Sequence, residues 1–297
     1  MNARDIEIFC EIMRSNSLSL AAKALGVSQP ALSQALRHCE DRIGYALFRR
    51  HAGRLTPTAE ATALWPEAER LFHELRSFRS LARDLGGRQG GLLRLGTTSS
   101  LGVSLVPKAV AQLRQEWRLA RISVNLMPVR ELGEALLARR LDVGLALTSV
   151  EVPGLDHVQL GSVPCIVLLP QDHPLAAEAA LGPAQLAGLP EIGFGGWQDF
   201  GHSLDLAFAA EGIERRIAVE IGNTVGAVAM VREGIGFAIV DGFARFVLPQ
   251  GVVARPFLPR VDRAVVLLRS RMLGNPEMVD RLAEVMRTLC QAGPPPG

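Results

Sequence analysis

Three runs of helical apolar periodicity share the first 43 residues, and the chain between them leaves room only for tight turns. The first, Arg4–Ser15, places Ile6, Phe9, Cys10 and Met13 at helical spacing. The second spans about Ser19–Leu25, with Ser17 or Ser19 as N-cap and good helix formers behind it. Gly26-Val27-Ser28 makes the connection, and Ser28 caps a third helix that carries Pro30 in its first turn, where a missing N–H costs little. This pattern reads as a helix-turn-helix.

The third helix has two unlike faces. Leu32, Ala35, Leu36, Cys39 and Ile43 form a stripe expected to be buried. Gln29, Ser33 and Arg37 recur opposite it at i, i+4 and i+8, with Pro30 and Gln34 beside them. Such donors and acceptors read base edges and phosphates in a major groove. After Gly44, strand-like pieces at Ala46–Phe48 and Leu55–Thr56 flank a glycine-containing turn. It carries Arg49, Arg50 and Arg54 and reads as a wing, its arginines on phosphate or in the minor groove.

Charge agrees with this division. The 297 residues carry 32 basic and 30 acidic side chains, a balance that excludes a uniformly basic nucleic-acid coat. Yet residues 14–54 hold Arg14, Lys23, Arg37, Arg42, Arg49, Arg50 and Arg54 against only Glu40 and Asp41. A locally basic segment of that kind neutralises phosphates.

Ala21-Ala22, Ser28-Gln29-Pro30-Ala31-Leu32-Ser33, Glu40, Gly44, Leu47-Phe48-Arg49-Arg50 and Leu55-Thr56-Pro57-Thr58 together resemble the DNA-binding domain of LysR-type transcriptional regulators. The resemblance places Gln29, Pro30, Ser33 and Gln34 near bases and the wing arginines on the DNA backbone. Position 34 departs from the Arg frequent in the family, and Cys39 stands where Leu is usual, so base preference in the half-site is expected to differ.

Thr56-Pro57 is expected to open a long helix as N-cap and N1, running to about Leu85. Leu64, Ala68, Leu71, Leu75, Phe78, Ala82 and Leu85 recur at alternating four and three residues, the period of a two-helix seam. A stripe docking within one chain has the same pattern; dimerisation is favoured because a helix-turn-helix reader needs two half-sites and because the resembling family dimerises through this helix. Pro66 removes the hydrogen bond to the Thr62 carbonyl and predicts a bend at Thr62–Pro66, at a cost of about 3 kcal/mol. Gly86-Gly87-Arg88-Gln89-Gly90-Gly91 reads as a flexible hinge.

From Leu92 onward apolar runs alternate with amphipathic helices. Strands are predicted at Leu92–Leu95, Ile122–Met127, Val143–Leu147, Cys165–Leu169, Ile192–Phe194, Ile217–Ile221 and Phe237–Val240. Helices are predicted at Leu101–Gln115, Arg130–Arg140, Phe200–Glu211, Thr224–Arg232 and Pro276–Leu289. This βα alternation predicts mostly parallel sheets, with ligands beyond the strand C-termini. The family resemblance adds two Rossmann-like subdomains of the type II periplasmic-binding-protein kind. The chain would cross between them near Gln159–Val163 and Leu258–Val265, with the effector in the cleft.

The expected domains are therefore a winged helix-turn-helix at residues 1–58, a linker and dimerisation helix with hinge at 59–91, and an effector domain at 92–297. Its first subdomain would span about 92–160 and 266–297, its second about 161–265. Polar residues where helices follow strands are the candidate effector ligands. They are Thr98, Ser99, Ser100, Arg130 and Thr148 on one side of the cleft, and Phe200, His202 and Thr224 on the other, with Gln198 and Asn223 alongside. Hydroxyls and free N–H groups there suit a carboxylate; simple capping is the competing role. Leu64-Trp65, Val231-Arg232-Glu233-Gly234-Ile235-Gly236 and Arg255-Pro256-Phe257 are similar to the octopine- and nopaline-catabolism and lysine-biosynthesis members of the family. That similarity implies an amino acid or derivative as effector, with Asp199 as the candidate partner for its ammonium.

An enzyme finds little support. The chain lacks a Walker lysine motif, His-Glu-x-x-His and Gly-x-Ser-x-Gly, and Gly234-x-Gly236 lacks a third glycine. Cys10, Cys39, Cys165 and Cys290 are too dispersed for structural zinc. No catalytic residue, metal site or cofactor is expected. A transport-type solute-binding protein accounts for the C-terminal part alone and would need the signal peptide that the N-terminus does not resemble. The expectation is a cytoplasmic, allosteric transcription regulator of a double-stranded DNA operator, homodimeric or homotetrameric and without membrane association. The family resemblance implies activation as the commoner outcome, with RNA polymerase as a further partner and autorepression as the alternative.

Overall fold

The computed structural model describes residues 1–51, 54–86, 91–148, 151–196, 198–270 and 276–295. The chain divides into two compact units, Met1–Gly87 and Arg88–Gly297.

In the first unit, α1 (Ala3–Ser15), α2 (Leu18–Ala24) and α3 (Gln29–Ile43) precede a hairpin of β1 (Phe48–His51) and β2 (Arg54–Pro57) and the long helix α4 (Ala59–Gly86). Asn2 and Asp5 form a reciprocal capping box on α1, Ser17 caps α2 and Ser28 caps α3. Gly44, at φ 84°, ends α3 in the left-handed conformation that a glycine adopts without a Cβ penalty. Phe9, Ile12, Ala21, Leu32, Leu36, Cys39 and Leu47 are buried in one core. Ala35 and Ile43 pack at its edge.

The helix start differs from expectation. Thr56 and Pro57 belong to β2, paired with Arg49 and Phe48, and the cap of α4 is Thr58. The Thr58 Oγ accepts from Ala61 N at 3.2 Å and donates to the Ala46 carbonyl at 3.0 Å, so one hydroxyl ends the wing and begins the helix. Strand pairing with β1 outweighed the proline-at-N1 signal. The helix then continues unbroken through Pro66. Residues 87–90 of the expected glycine hinge lie outside the described residues.

The second unit is a mixed α/β domain. Its first stretch runs β3 (Leu92–Thr97), α5 (Ser99–Val103), α6 (Leu105–Glu116), β4 (Arg121–Leu126), α7 (Val129–Leu137), β5 (Val143–Leu147) and β6 (Asp156–Pro170). There follow α8 (Pro183–Leu186), β7 (Glu191–Gly193), α9 (Asp199–Ala209), β8 (Ile217–Glu220), α10 (Thr224–Arg232), β9 (Ala238–Asp241), β10 (Val252–Pro256), β11 (Asp262–Arg269) and α11 (Pro276–Ala292). Seven strands join in the order β10-β6-β11-β5-β3-β4 with β9 also on β6, and β7 and β8 pair separately.

Two readings need correction. The large sheet is not mostly parallel: β3 pairs in parallel with β4 and β5, but β6 is antiparallel to β9, β10 and β11, and β11 is antiparallel to β5. The cause is the pair β6 and β11, long strands that run past each other from Asp262 opposite Pro164 to Arg269 opposite Asp156. Likewise Leu101–Gln115 is not one helix, because the chain breaks at Ser104 into α5 and α6. The five-residue α5 carries little of the dipole that a long helix would have aimed at Ser99 and Ser100.

β6 serves two cores. Its first part sends Leu160 and Val163 into a cluster with β3, β5, α6 and α11, and its second part sends Cys165–Leu169 into another with β9, α9 and α10.

Candidate nucleic-acid interface and ligand cleft

The outward face of α3 keeps Gln29, Pro30, Gln34 and Arg37 exposed and Ser33 half-buried. Ser19 Oγ of α2 donates to Gln29 Oε1 at 2.9 Å, which orients the amide while leaving its NH2 without a protein partner among the described residues. Glu40 accepts from the backbone N–H groups of Leu47 at 2.7 Å and Phe48 at 3.2 Å, fixing the wing to the end of α3. Arg49 is exposed on β1, and Arg50 and Arg54 occupy facing strands of the hairpin.

Two arginines of the basic segment serve the fold instead. Arg42 reaches the buried Asp5 at 2.6 Å, tying the end of α3 to the start of α1. Arg14 lies over the rings of Trp65 and Phe72 and pairs with Glu69 at 3.4 Å, which clamps α1 to α4. Along the apolar stripe of α4, Ala68 is buried against α1 and Leu64 packs on the same core. Leu71 and Leu75 are half-buried, and Phe78 is 67% exposed.

In the second unit polar side chains meet beyond the strand ends. Asp241, the last residue of β9, accepts from Ser100 Oγ at 2.6 Å, Thr224 Oγ1 at 3.0 Å and Phe243 N at 3.1 Å. Its complete burial pushes the carboxyl pKa up, against the opposing pull of both hydroxyls, the Phe243 N–H and Arg263. A second group forms where β5 ends: Thr148 Oγ1 donates to Asp199 Oδ2 at 3.4 Å, and Arg263 Nη1 donates to the same oxygen at 3.1 Å. Arg263 also donates from Nη2 to the Leu147 carbonyl at 2.8 Å and lies 4.7 Å over the Phe200 ring.

The structure thus brings Ser100 and Thr224 together through Asp241, and Thr148 and Phe200 together through Arg263 and Asp199. Thr98 Oγ1 is buried without a hydrogen-bond partner among the described residues. Ser99 is half-buried at the start of α5. Arg130, 90% exposed, pairs with Glu134, and His202 is exposed; among the described residues neither bonds to the two networks. Gln198 and Asn223 precede α9 and α10, and Asn223 caps α10 through Gly226 N.

Asp241 and Arg263 escaped sequence reasoning. Each sits within or at the end of an apolar strand, Ala238-Ile239-Val240-Asp241 and Arg263-Ala264-Val265-Val266-Leu267-Leu268, and a charge that interrupts such a run was the available signal.

Behind the site, buried Arg215 donates to Glu191 at 2.5 Å, to Asp205 at 2.7 Å and to the Gly201 carbonyl at 3.0 Å. It thereby pins the first turns of α9, which carry Asp199 and Phe200, onto β7. Gly201 is required there, since a Cβ would collide with the Gly195 carbonyl.

Comparison with known proteins agrees with both halves. Residues 3–62 match the bacterial regulatory helix-turn-helix model of the lysR family, and residues 86–291 match the LysR substrate binding domain. These two parts define the class, a DNA-binding transcriptional regulator with an effector-binding domain. The chain belongs to the LysR family. It is 30% identical to the octopine catabolism/uptake operon regulatory protein OccR of Rhizobium meliloti, covering 95% of this chain and 94% of that one. It is 33% identical to the transcriptional activator protein LysR of Escherichia coli, over 91% of this chain and 87% of that one. The fold is shared with full-length CbnR bound to its target DNA, at TM-score 0.79 and 21% identity over 97% of this chain and 99% of that one.

No helix among the described residues is long and apolar enough to cross a membrane, and no three His, Cys, Asp or Glu residues among them are grouped to hold a metal.

Proposed function

We propose that this regulator reads its operator with Gln29, Pro30, Ser33, Gln34 and Arg37 in the major groove, and with Arg49, Arg50 and Arg54 on the backbone or in the minor groove. The observation that carries this reading is the polar face of α3, exposed over a helix whose other face is buried. Two copies pair along α4 through Leu71, Leu75 and Phe78, whereas Leu64 and Ala68 of the expected seam are taken up by the core of their own chain, and a dimer or tetramer presents two half-sites. Ser33→Ala with Arg37→Ala is expected to abolish gel shifts of the DNA upstream of its own gene while leaving the melting temperature unchanged. Unaltered shifts overturn the assignment.

The second unit senses a small carboxylate, an amino acid or derivative, beyond the ends of β3 and β5. The domain crossing lies at β6 and β11, with residues 92–160 and 266–297 on one side and 161–265 on the other. The likeness to an octopine-catabolism regulator and to LysR supports this effector class. Ligand binding resets the lobes and so the spacing of the recognition helices, activating transcription with RNA polymerase as partner and repressing its own gene. Thermal shift of the full chain against amino acids and opines tests the class, and stabilisation by none of them counts against it.

A further inference from the structure

We propose that Arg263 is the anchoring cation of the ligand cleft and Asp199 its exchangeable counterion, so that a ligand carboxylate takes the place of Asp199 on Arg263. This rests on the carboxylate-effector reading above and assigns the residue that meets the charge.

The two partners of the ion pair are held unequally. The Arg263 side chain is only 6% exposed, fixed from behind by the Leu147 carbonyl and from one face by Phe200, whereas the Asp199 side chain is 25% exposed. A guanidinium so placed cannot follow a departing partner, and burial without an anion would be costly. Asp199 can depart. It is the first residue of α9, an eleven-residue helix, where a carboxylate turned to solvent remains stabilised by the unpaired N–H groups. Exchange of one carboxylate for another conserves the charge on Arg263.

One hydroxyl for the incoming group adjoins the Leu147 contact, and another stands at the end of the neighbouring strand β3. Thr148 directly follows Leu147, whose carbonyl Arg263 holds. Thr98 follows the adjacent parallel strand and donates its backbone N–H to the Leu145 carbonyl. The Thr98 hydroxyl is buried and makes no hydrogen bond among the described residues. An unsatisfied buried hydroxyl is costly, and a ligand oxygen that accepts from it removes the cost.

The exchange also has a mechanical result. Asp199 is a charged link between α9 and the crossing strand β11, so displacing it leaves the contact of Arg263 with Phe200 to hold them where the two cores of the domain meet.

Acetate, titrated into the full-length protein against chloride at matched ionic strength, is the simplest probe. Asp199→Asn removes the competing charge and is expected to bind acetate about tenfold more tightly than the parent. Adding Arg263→Gln should abolish the gain. Arg263→Lys, which keeps the charge but not the fork, should fold and still lose most of it. Thr98→Val should weaken acetate severalfold without lowering the melting temperature in chloride. Equal acetate binding by the parent and D199N, or a gain that survives R263Q and R263K, overturns the proposal. The amino-acid panel on the parent protein separates the two readings. If it is silent while D199N binds acetate through Arg263, the effector class falls and the anion site stands. If a panel member stabilises R263K as strongly as the parent, the site falls and the class stands.

Discussion

The two units use polar residues in opposite ways. In the winged helix-turn-helix the candidate DNA-contacting side chains Gln29, Gln34 and Arg37 face outward, and the buried polar groups Asp5, which the exposed Arg42 reaches, and Thr58 hold elements together. In the α/β unit three of the candidate ligand residues are themselves inward: Ser100, Thr148 and Thr224 are buried and bonded to Asp241 or Asp199. A reader of long polymers needs a solvated, prearranged surface, whereas a sensor of small molecules needs groups whose internal partners a ligand competes with. Mutations should therefore separate binding from folding in the first unit and couple them in the second.

The largest effect expected is from Arg215→Met. It leaves Glu191 buried without its counterion and should cost about 3–5 kcal/mol in the stability of the second unit, seen as a lowered calorimetric midpoint. A shift within experimental error would mean that the buried pair is dispensable. Next, Asp5→Ala removes both the acidic half of the α1 capping box and the anchor of Arg42, and should cost about 2 kcal/mol in the first unit. If chemical denaturation of the full chain shows the second unit unfolding earlier instead, the division of roles fails.

Asp241 offers a pH test. Its folded pKa is raised by burial, so the folded state holds the proton more tightly than the unfolded chain. Its contribution to stability is therefore present below the ordinary Asp pKa and lost as pH rises through the raised value. Asp241→Asn should flatten that part of the stability profile between acid and neutral pH. Identical profiles for the two proteins would contradict it. The smallest effect is expected from the thiols. All four cysteines are buried, and burial pushes Cys165 up to about 12 and Cys10 and Cys290 to about 11, so the native protein should resist alkylation at pH 8. Rapid labelling would reveal opening of a core.

The same contrast explains what sequence reasoning could reach. Gln29, Ser33 and Arg37 follow from helical spacing, because exposure on a helix is a local periodic property. Ser28 as a cap and Gly44 as a helix end are equally local. Asp241 and Arg263 are not, since each is buried only because distant residues meet it: Ser100 lies 141 positions from Asp241, and Asp199 lies 64 from Arg263. The antiparallel course of β6 and β11 was hidden for the same reason, as strand direction depends on which partner a strand finds. The Thr58 cap was mistaken by two residues because a nearby proline offered a stronger local signal than the wing pairing that prevailed.

Helix α4 has the dimensions of a lever. Its 28 residues extend about 40 Å, and the clamp of Arg14, Trp65, Ala68 and Phe72 joins its first half to α1, which shares one core with the recognition helix. A turn of about 10° at the far end of such an arm displaces its head by about 7 Å, close to two base-pair steps. If two copies pair along this helix as proposed, the distance between half-sites is set by an angle between helices, and a small rotation is enough to move a DNA-reading surface from one register to another.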